Sequence, residues 1–120
     1  MKVLIADDDR TIRALLADML EGLGHAVVAV ENGAEAVERC ASDAPDVIVL
    51  DFLMPKLSGV DAMKALRDRG IRTPVVLLTA ISDTSIRELD GFQAPDAILE
   101  KPFKLRSLET ALGKALRGAQ

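Results

Sequence analysis

At 120 residues, with 49% apolar and 28% charged side chains, the chain has the size and composition of one folded domain rather than a disordered tract. A net charge of -4, an aromatic content of 2% and the absence of Trp and Tyr argue against a nucleic-acid surface built on phosphate contacts or base stacking. Met1-Lys2 leads directly into a four-residue apolar run, and no run approaches a membrane span, so a cytoplasmic protein with no membrane partner is expected.

Five short apolar runs define candidate strands: Val3 to Ala6, Ala26 to Val30, Val47 to Leu50, Val75 to Leu78 and, more weakly, Ala97 to Leu99. They are continuous rather than alternating, as in strands buried on both faces. Between the first two, Ile12, Leu15, Leu16, Met19, Leu20 and Leu23 keep a 3.6-residue period, with Gly24 as a stop and Asp9 placed to cap the start near Arg10 or Thr11. Ala34 to Ala41, Ser58 to Arg69 and Leu105 to Leu116 read as further helices, and Arg117 to Gln120 as a frayed end. Ser82 to Phe92 is a weaker helical stretch, with Ile86 and Leu89 but little else apolar, closed by Pro95. The single Cys40 has no partner for an internal disulfide and fits simple packing within its helix. Strands alternating with helices predict one domain over 1–120. Its class is a doubly wound α/β fold, flavodoxin-like, with a five-stranded parallel sheet in the order 2-1-3-4-5.

In such sheets ligands bind beyond the carboxyl ends of the strands. Asp7, Asp8 and Asp9 follow the first run, Asp51 the third, Thr79 and Ala80 the fourth, and Glu100, Lys101 and Pro102 the fifth. Glu31 and Asn32 follow the second, which lies at the sheet edge in this order. Any one of these residues alone could be a cap or a turn residue. Together they bring carboxylates, a hydroxyl and an ammonium to one rim. Clustered carboxylates repel unless a cation joins them, and Mg²⁺ takes oxygen ligands of this kind together with phosphate oxygens. An aspartate there can attack phosphorus, while the Thr hydroxyl and the Lys ammonium meet the phosphoryl oxygens.

The segments VLIADDD at 3–9 followed by Arg13, DVIVLDFLMPKLSG at 46–59, PVVLLTA at 74–80 and ILEKPF at 98–103 resemble the receiver domain of two-component response regulators, chemotaxis regulators included. The resemblance covers essentially the whole chain. It implies phosphorylation at Asp51, Mg²⁺ held by Asp7, Asp8, Asp51 and the backbone carbonyl of Leu53, and catalytic contacts from Thr79 and Lys101. It also implies a cis bond at Lys101-Pro102 and a turn from the phosphorylated strand through Met54-Pro55 and Gly59. The donor would be a sensor histidine kinase or a histidine phosphotransfer protein. A downstream protein would be met by a face formed from the weak helical stretch, the fifth strand and the C-terminal helix. Thr79, Ile98 and Pro102 would be the switch and output residues, and the chain would be a monomer or a weak homodimer. Catalysis would extend only to phosphorylation of its own aspartate.

Three departures from the family pattern stand out. Ile98 occupies a position that is often Tyr or Phe, so an aromatic flip is not available. Gln93-Ala94-Pro95 replaces the usual small-residue end of the weak helix. Leu53 and Ile81, flanking the acceptor, are apolar where polar residues are common, and would hinder an attacking water. An alternative is a receiver-fold module that binds its partner without phosphorylation. An aspartate-nucleophile phosphatase of the haloacid-dehalogenase kind would want a second acid where Leu53 stands, and a flavodoxin-like cofactor binder would not place Asp7-Asp8-Asp9 against a phosphate.

Overall fold

Strand side chains point alternately to opposite faces, so a continuous apolar run feeds two cores at once. In the computed structural model, which describes residues 1–81 and 94–118, this division is complete. The strands are β1 (Lys2–Ala6), β2 (Ala26–Val30), β3 (Val47–Asp51), β4 (Val75–Thr79) and β5 (Ala97–Glu100). They form one sheet in the order β2-β1-β3-β4-β5, all pairs parallel. Among the described residues the helices are α1 (Arg10–Gly22), α2 (Gly33–Asp43), α3 (Gly59–Asp68) and α4 (Leu105–Gly118). Val3, Ile5, Val47, Val49, Val76, Leu78 and Leu99 pack with Leu16 and Leu20 of α1 and Leu108 and Leu112 of α4. Leu4, Ile48, Leu50, Val75 and Leu77, from the intervening positions, pack with Val37 and Cys40 of α2 and Met63 and Leu66 of α3. The sheet order, the parallel pairing and the helices on both faces are those expected from the sequence.

The helices start where their caps dictate. Asp9 accepts from the Thr11 and Ile12 N–H groups at 2.8 and 3.4 Å, Asn32 from Glu35 at 2.9 Å and Ser58 from Asp61 at 3.2 Å. α2 ends at Ala44, in the left-handed region at φ 46, immediately before Pro45. α4 runs on to Gly118, so Arg117 and Gly118 are helical rather than frayed. The helical stretch at 82–92 and its unusual end at Gln93 lie outside the described residues.

Two differences from the sequence reading have a common origin in backbone pairing. Asp51, Thr79 and Glu100 are the last residues of their strands rather than the first after them, because the ladder continues through Asp51↔Leu78 and Thr79↔Glu100. Pairing is made by the main chain and does not stop where the apolar run stops. β2, although apolar throughout, is buried only at Val30 and is exposed or half-exposed elsewhere. It is an edge strand, with a neighbour on one side only.

Candidate functional site

The carboxyl rim of the sheet is fastened by hydrogen bonds that extend the ladders past the strands. Asp7 N donates to Val30 O at 3.2 Å, Phe52 N to Leu78 O at 2.8 Å and Lys101 N to Thr79 O at 2.7 Å. The residues carrying the candidate chemistry therefore sit on backbone held by neighbouring strands. The turn out of β3 is packed tightly as well. Gly59 N donates to Phe52 O at 2.9 Å, and a Cβ on Gly59 would stand 2.3 Å from the Asp51 carbonyl oxygen. Only glycine allows α3 to start against the backbone of Asp51.

On this rim Lys101 Nζ bridges two acids, reaching Asp7 Oδ2 at 3.3 Å and Asp51 Oδ1 at 3.2 Å. Asp7 is fully buried, Asp51 is 5% exposed and Asp8 is exposed. One carboxylate oxygen from each of Asp7, Asp8 and Asp51 lies within 4.8 Å of the others. Burial raises the Asp51 carboxyl from its ordinary 3.8 to about 6, the Asp7 carboxylate pushes the same way, and Lys101 opposes both. For Lys101 burial favours the neutral amine, but the two facing carboxylates outweigh it and hold the ammonium above its ordinary value. Three carboxylates against one ammonium leave excess negative charge in a half-buried pocket. The donor set is all oxygen, which fits a hard divalent cation such as Mg²⁺.

Thr79 is buried, and its Oγ1 accepts the Ile81 N–H at 2.9 Å, a role that leaves the hydroxyl hydrogen to donate elsewhere. With Asp51, Phe52, Leu53, Ala80, Ile81 and Lys101 it lines a cleft of about 100 Å³. Leu53 stands 68% exposed at its mouth. The sequence-derived set Asp7, Asp8, Asp51, Thr79 and Lys101 is thus brought together. Ile98 is not part of the cleft: it is half-buried and packs against the core under α2 and α3, as does Ile81. Pro102 follows a cis peptide bond and is exposed. It lines a groove of about 580 Å³ between β5 and α4 together with Ile98, Glu100, Arg106 and Lys114.

Two residues near the site carried no role in the sequence reading. Arg13 Nη1 donates to the Asp7 carbonyl at 2.8 Å, and its Nη2 lies 3.6 Å from Glu31 Oε1. Its place four residues after the cap Asp9, one helical turn into α1, was the available signal. Gly33 opens α2 so close to the turn after β3 that a Cβ there would lie 2.1 Å from Leu57 O.

This fold and this rim place the chain in a known class. Residues 3–113 match the response regulator receiver domain family, and the chain belongs to that family. It is 38% identical over 117 residues to response regulator MprA of Mycobacterium avium, covering 98% of this chain and 51% of that protein. MprA of Mycobacterium tuberculosis is 37% identical over the same length. The chain thus spans about half the length of these curated relatives. Among solved structures, the Francisella response regulator 1452 receiver domain superposes with a TM-score of 0.85 at 33% identity, covering 99% of this chain and 98% of the other. The receiver domain of the Pseudomonas aeruginosa sensor histidine kinase PA1611, solved with a magnesium ion in its active-site cleft, gives a TM-score of 0.87 at 29% identity and covers 97% of each chain. Among the described residues, no helix is long and apolar enough to cross a membrane.

Proposed function

We propose that this chain is a single phosphorylation-dependent signalling receiver over residues 1–120 that accepts a phosphoryl group on Asp51. The observation that carries the reading is the Lys101 ammonium, 3.2 Å from Asp51 and 3.3 Å from Asp7, beside Asp8 and Thr79 on one rim. Asp7, Asp8, Asp51 and the Leu53 carbonyl would hold Mg²⁺, the ion present in the cleft of the PA1611 receiver domain. When bound, that ion neutralises carboxylate charge and attracts phosphoryl oxygens.

The chain's own residues supply the rest. An Asp51 carboxylate oxygen forms a bond to phosphorus as the phosphorus–nitrogen bond of a phosphohistidine donor breaks, and the electron pair leaves with the imidazole. Lys101 compensates charge on one phosphoryl oxygen, and the Thr79 hydroxyl donates to another. The donor is a sensor histidine kinase or a histidine phosphotransfer protein. The domain turns over no external substrate beyond its own aspartate. Thr79, Ile98 and Pro102 pass the change to the β5–α4 groove, where a downstream protein binds in the cytoplasm. Phosphorylation there shifts an existing equilibrium between two states of the face.

Incubation with Mg²⁺ and acetyl phosphate, followed by intact mass measurement, tests the reading. Wild type gains one phosphoryl group, and Asp51→Asn gains none. No gain in wild type, or an undiminished gain in Asp51→Asn, refutes it.

A further inference from the structure

The four polar atoms of Asp7 are each engaged by a different part of the molecule. Its N–H goes to Val30 O across the β2 ladder, and its Oδ2 faces Lys101. Its Oδ1 accepts the Asp9 N–H at 2.9 Å, closing the acidic turn on itself. The remaining atom, the carbonyl oxygen, is held by the Arg13 guanidinium at 2.8 Å. Arg13 is itself set by α1, where its backbone N–H donates to Asp9 O at 3.0 Å, and its side chain is only 17% exposed. The second arm of the guanidinium faces Glu31, just past the end of β2. One side chain therefore joins the first turn of α1, the peptide between the two adjacent acids and the end of the edge strand.

We infer that Arg13 is a positioning residue that fixes the Asp7–Asp8 peptide so that both carboxylates face a divalent cation together. This rests on the reading of Asp7 and Asp8 as cation-holding acids. Rotation of that peptide would turn the Asp8 side chain away from Asp7, and the Asp7 carbonyl is the atom on which such a rotation can be blocked. A guanidinium suits the task because it donates to the carbonyl without losing its charge, a contact that a lysine ammonium can make in part.

The two effects that Arg13 can exert on cation binding have opposite signs. As a nearby positive charge it repels the cation, so its removal tightens binding. As a brace it orders the ligands, so its removal weakens binding, and loss of such outer contacts costs about 10–100-fold in metal affinity. Since Arg13 acts on a ligand's backbone rather than on its carboxylate, the lower end of that range applies.

The test is isothermal titration of Mg²⁺ and Mn²⁺ into wild type, Arg13→Met, Arg13→Lys and Glu31→Gln, well below the midpoint of thermal unfolding. Arg13→Met is expected to bind about ten-fold more weakly, Arg13→Lys to recover to within about three-fold of wild type, and Glu31→Gln to stay within about two-fold. Affinity in Arg13→Met equal to or tighter than wild type overturns the inference, as does an Arg13→Lys no better than Arg13→Met. Should Arg13→Met not fold, Arg13→Gln takes its place with the same two outcomes. Wild type that binds neither ion sinks the cation-holding reading itself, whereas wild-type binding with unaffected variants sinks only the role of Arg13.

Discussion

Replacing Asp51 with asparagine should stabilise the metal-free protein at neutral pH, even though it removes half of an ion pair. The Asp51 carboxyl ionises at about 6 in the folded chain against an ordinary 3.8, because burial and the Asp7 carboxylate outweigh Lys101. At about 1.36 kcal/mol per pH unit, this difference is a folding penalty of roughly 3 kcal/mol once the group is charged. A carboxyl with a raised folded value binds protons more tightly when folded. The penalty is therefore absent below about pH 4, grows as pH rises toward 6 and is complete above it. Asparagine keeps the shape without the charge, and its amide can donate to Asp7 while its oxygen still accepts from Lys101. We expect Asp51→Asn to be more stable by about 1–3 kcal/mol at pH 7.5 in EDTA, a rise of roughly 4–12 °C in Tm for a chain of this size. The assay is far-UV circular dichroism of thermal or urea unfolding, since a chain without Trp or Tyr offers no useful fluorescence. The difference should vanish at pH 4 and shrink when Mg²⁺ is added to wild type. A gap independent of pH, or a variant less stable than wild type at pH 7.5, refutes the electrostatic argument.

Three further outcomes follow from the same geometry. Lys101→Met leaves the buried Asp7 and the largely buried Asp51 without their ammonium, so it should cost about 1–3 kcal/mol at pH 7.5 and much less at pH 4, read by the same melts. Leu53→Asn combined with Ile81→Glu opens the mouth of the cleft to water. It should shorten the lifetime of protein phosphorylated by acetyl phosphate, and an unchanged half-life would remove both side chains from the account. Gly59→Ala forces a methyl against the Asp51 carbonyl and should cost about 1–3 kcal/mol in urea unfolding. A neutral result there would mean that the turn gives way easily.

Much of this was legible in the sequence because the relevant signals are carried by side chains. Runs such as Val47 to Leu50 can be buried only between two layers, and the acids, Thr79 and Lys101 stand where a parallel sheet places its ligands. Asp9 was recognisable as a cap from its position alone. Features made by the main chain were not legible. The membership of Asp51 and Thr79 in their strands depends on pairing with Leu78 and Glu100, which no composition records. Arg13 stood at a telling helical spacing from Asp9, but its partner is a carbonyl oxygen, and a carbonyl is the same in every residue. The closeness of Gly33 to Leu57 joins elements that are distant in the chain, so neither local pattern hints at it. The exposure of β2, by contrast, follows from its place at the edge, which the expected strand order already implied.

The position of Asp51 at the end of β3 has a mechanical meaning. Its strand is central, flanked by β1 and β4, its own ladder partner is Leu78, and the next N–H is tied to the same residue. α3 begins against its carbonyl. The backbone under the carboxylate is thus held by both neighbouring strands and by the start of α3. Charge added to this side chain meets no yielding support beneath it. Any response would fall to the rim above it, where the residues lining the cleft leave β3 and β4. A rigid seat makes a small chemical event directional: the force has few ways out, and they open toward the same rim.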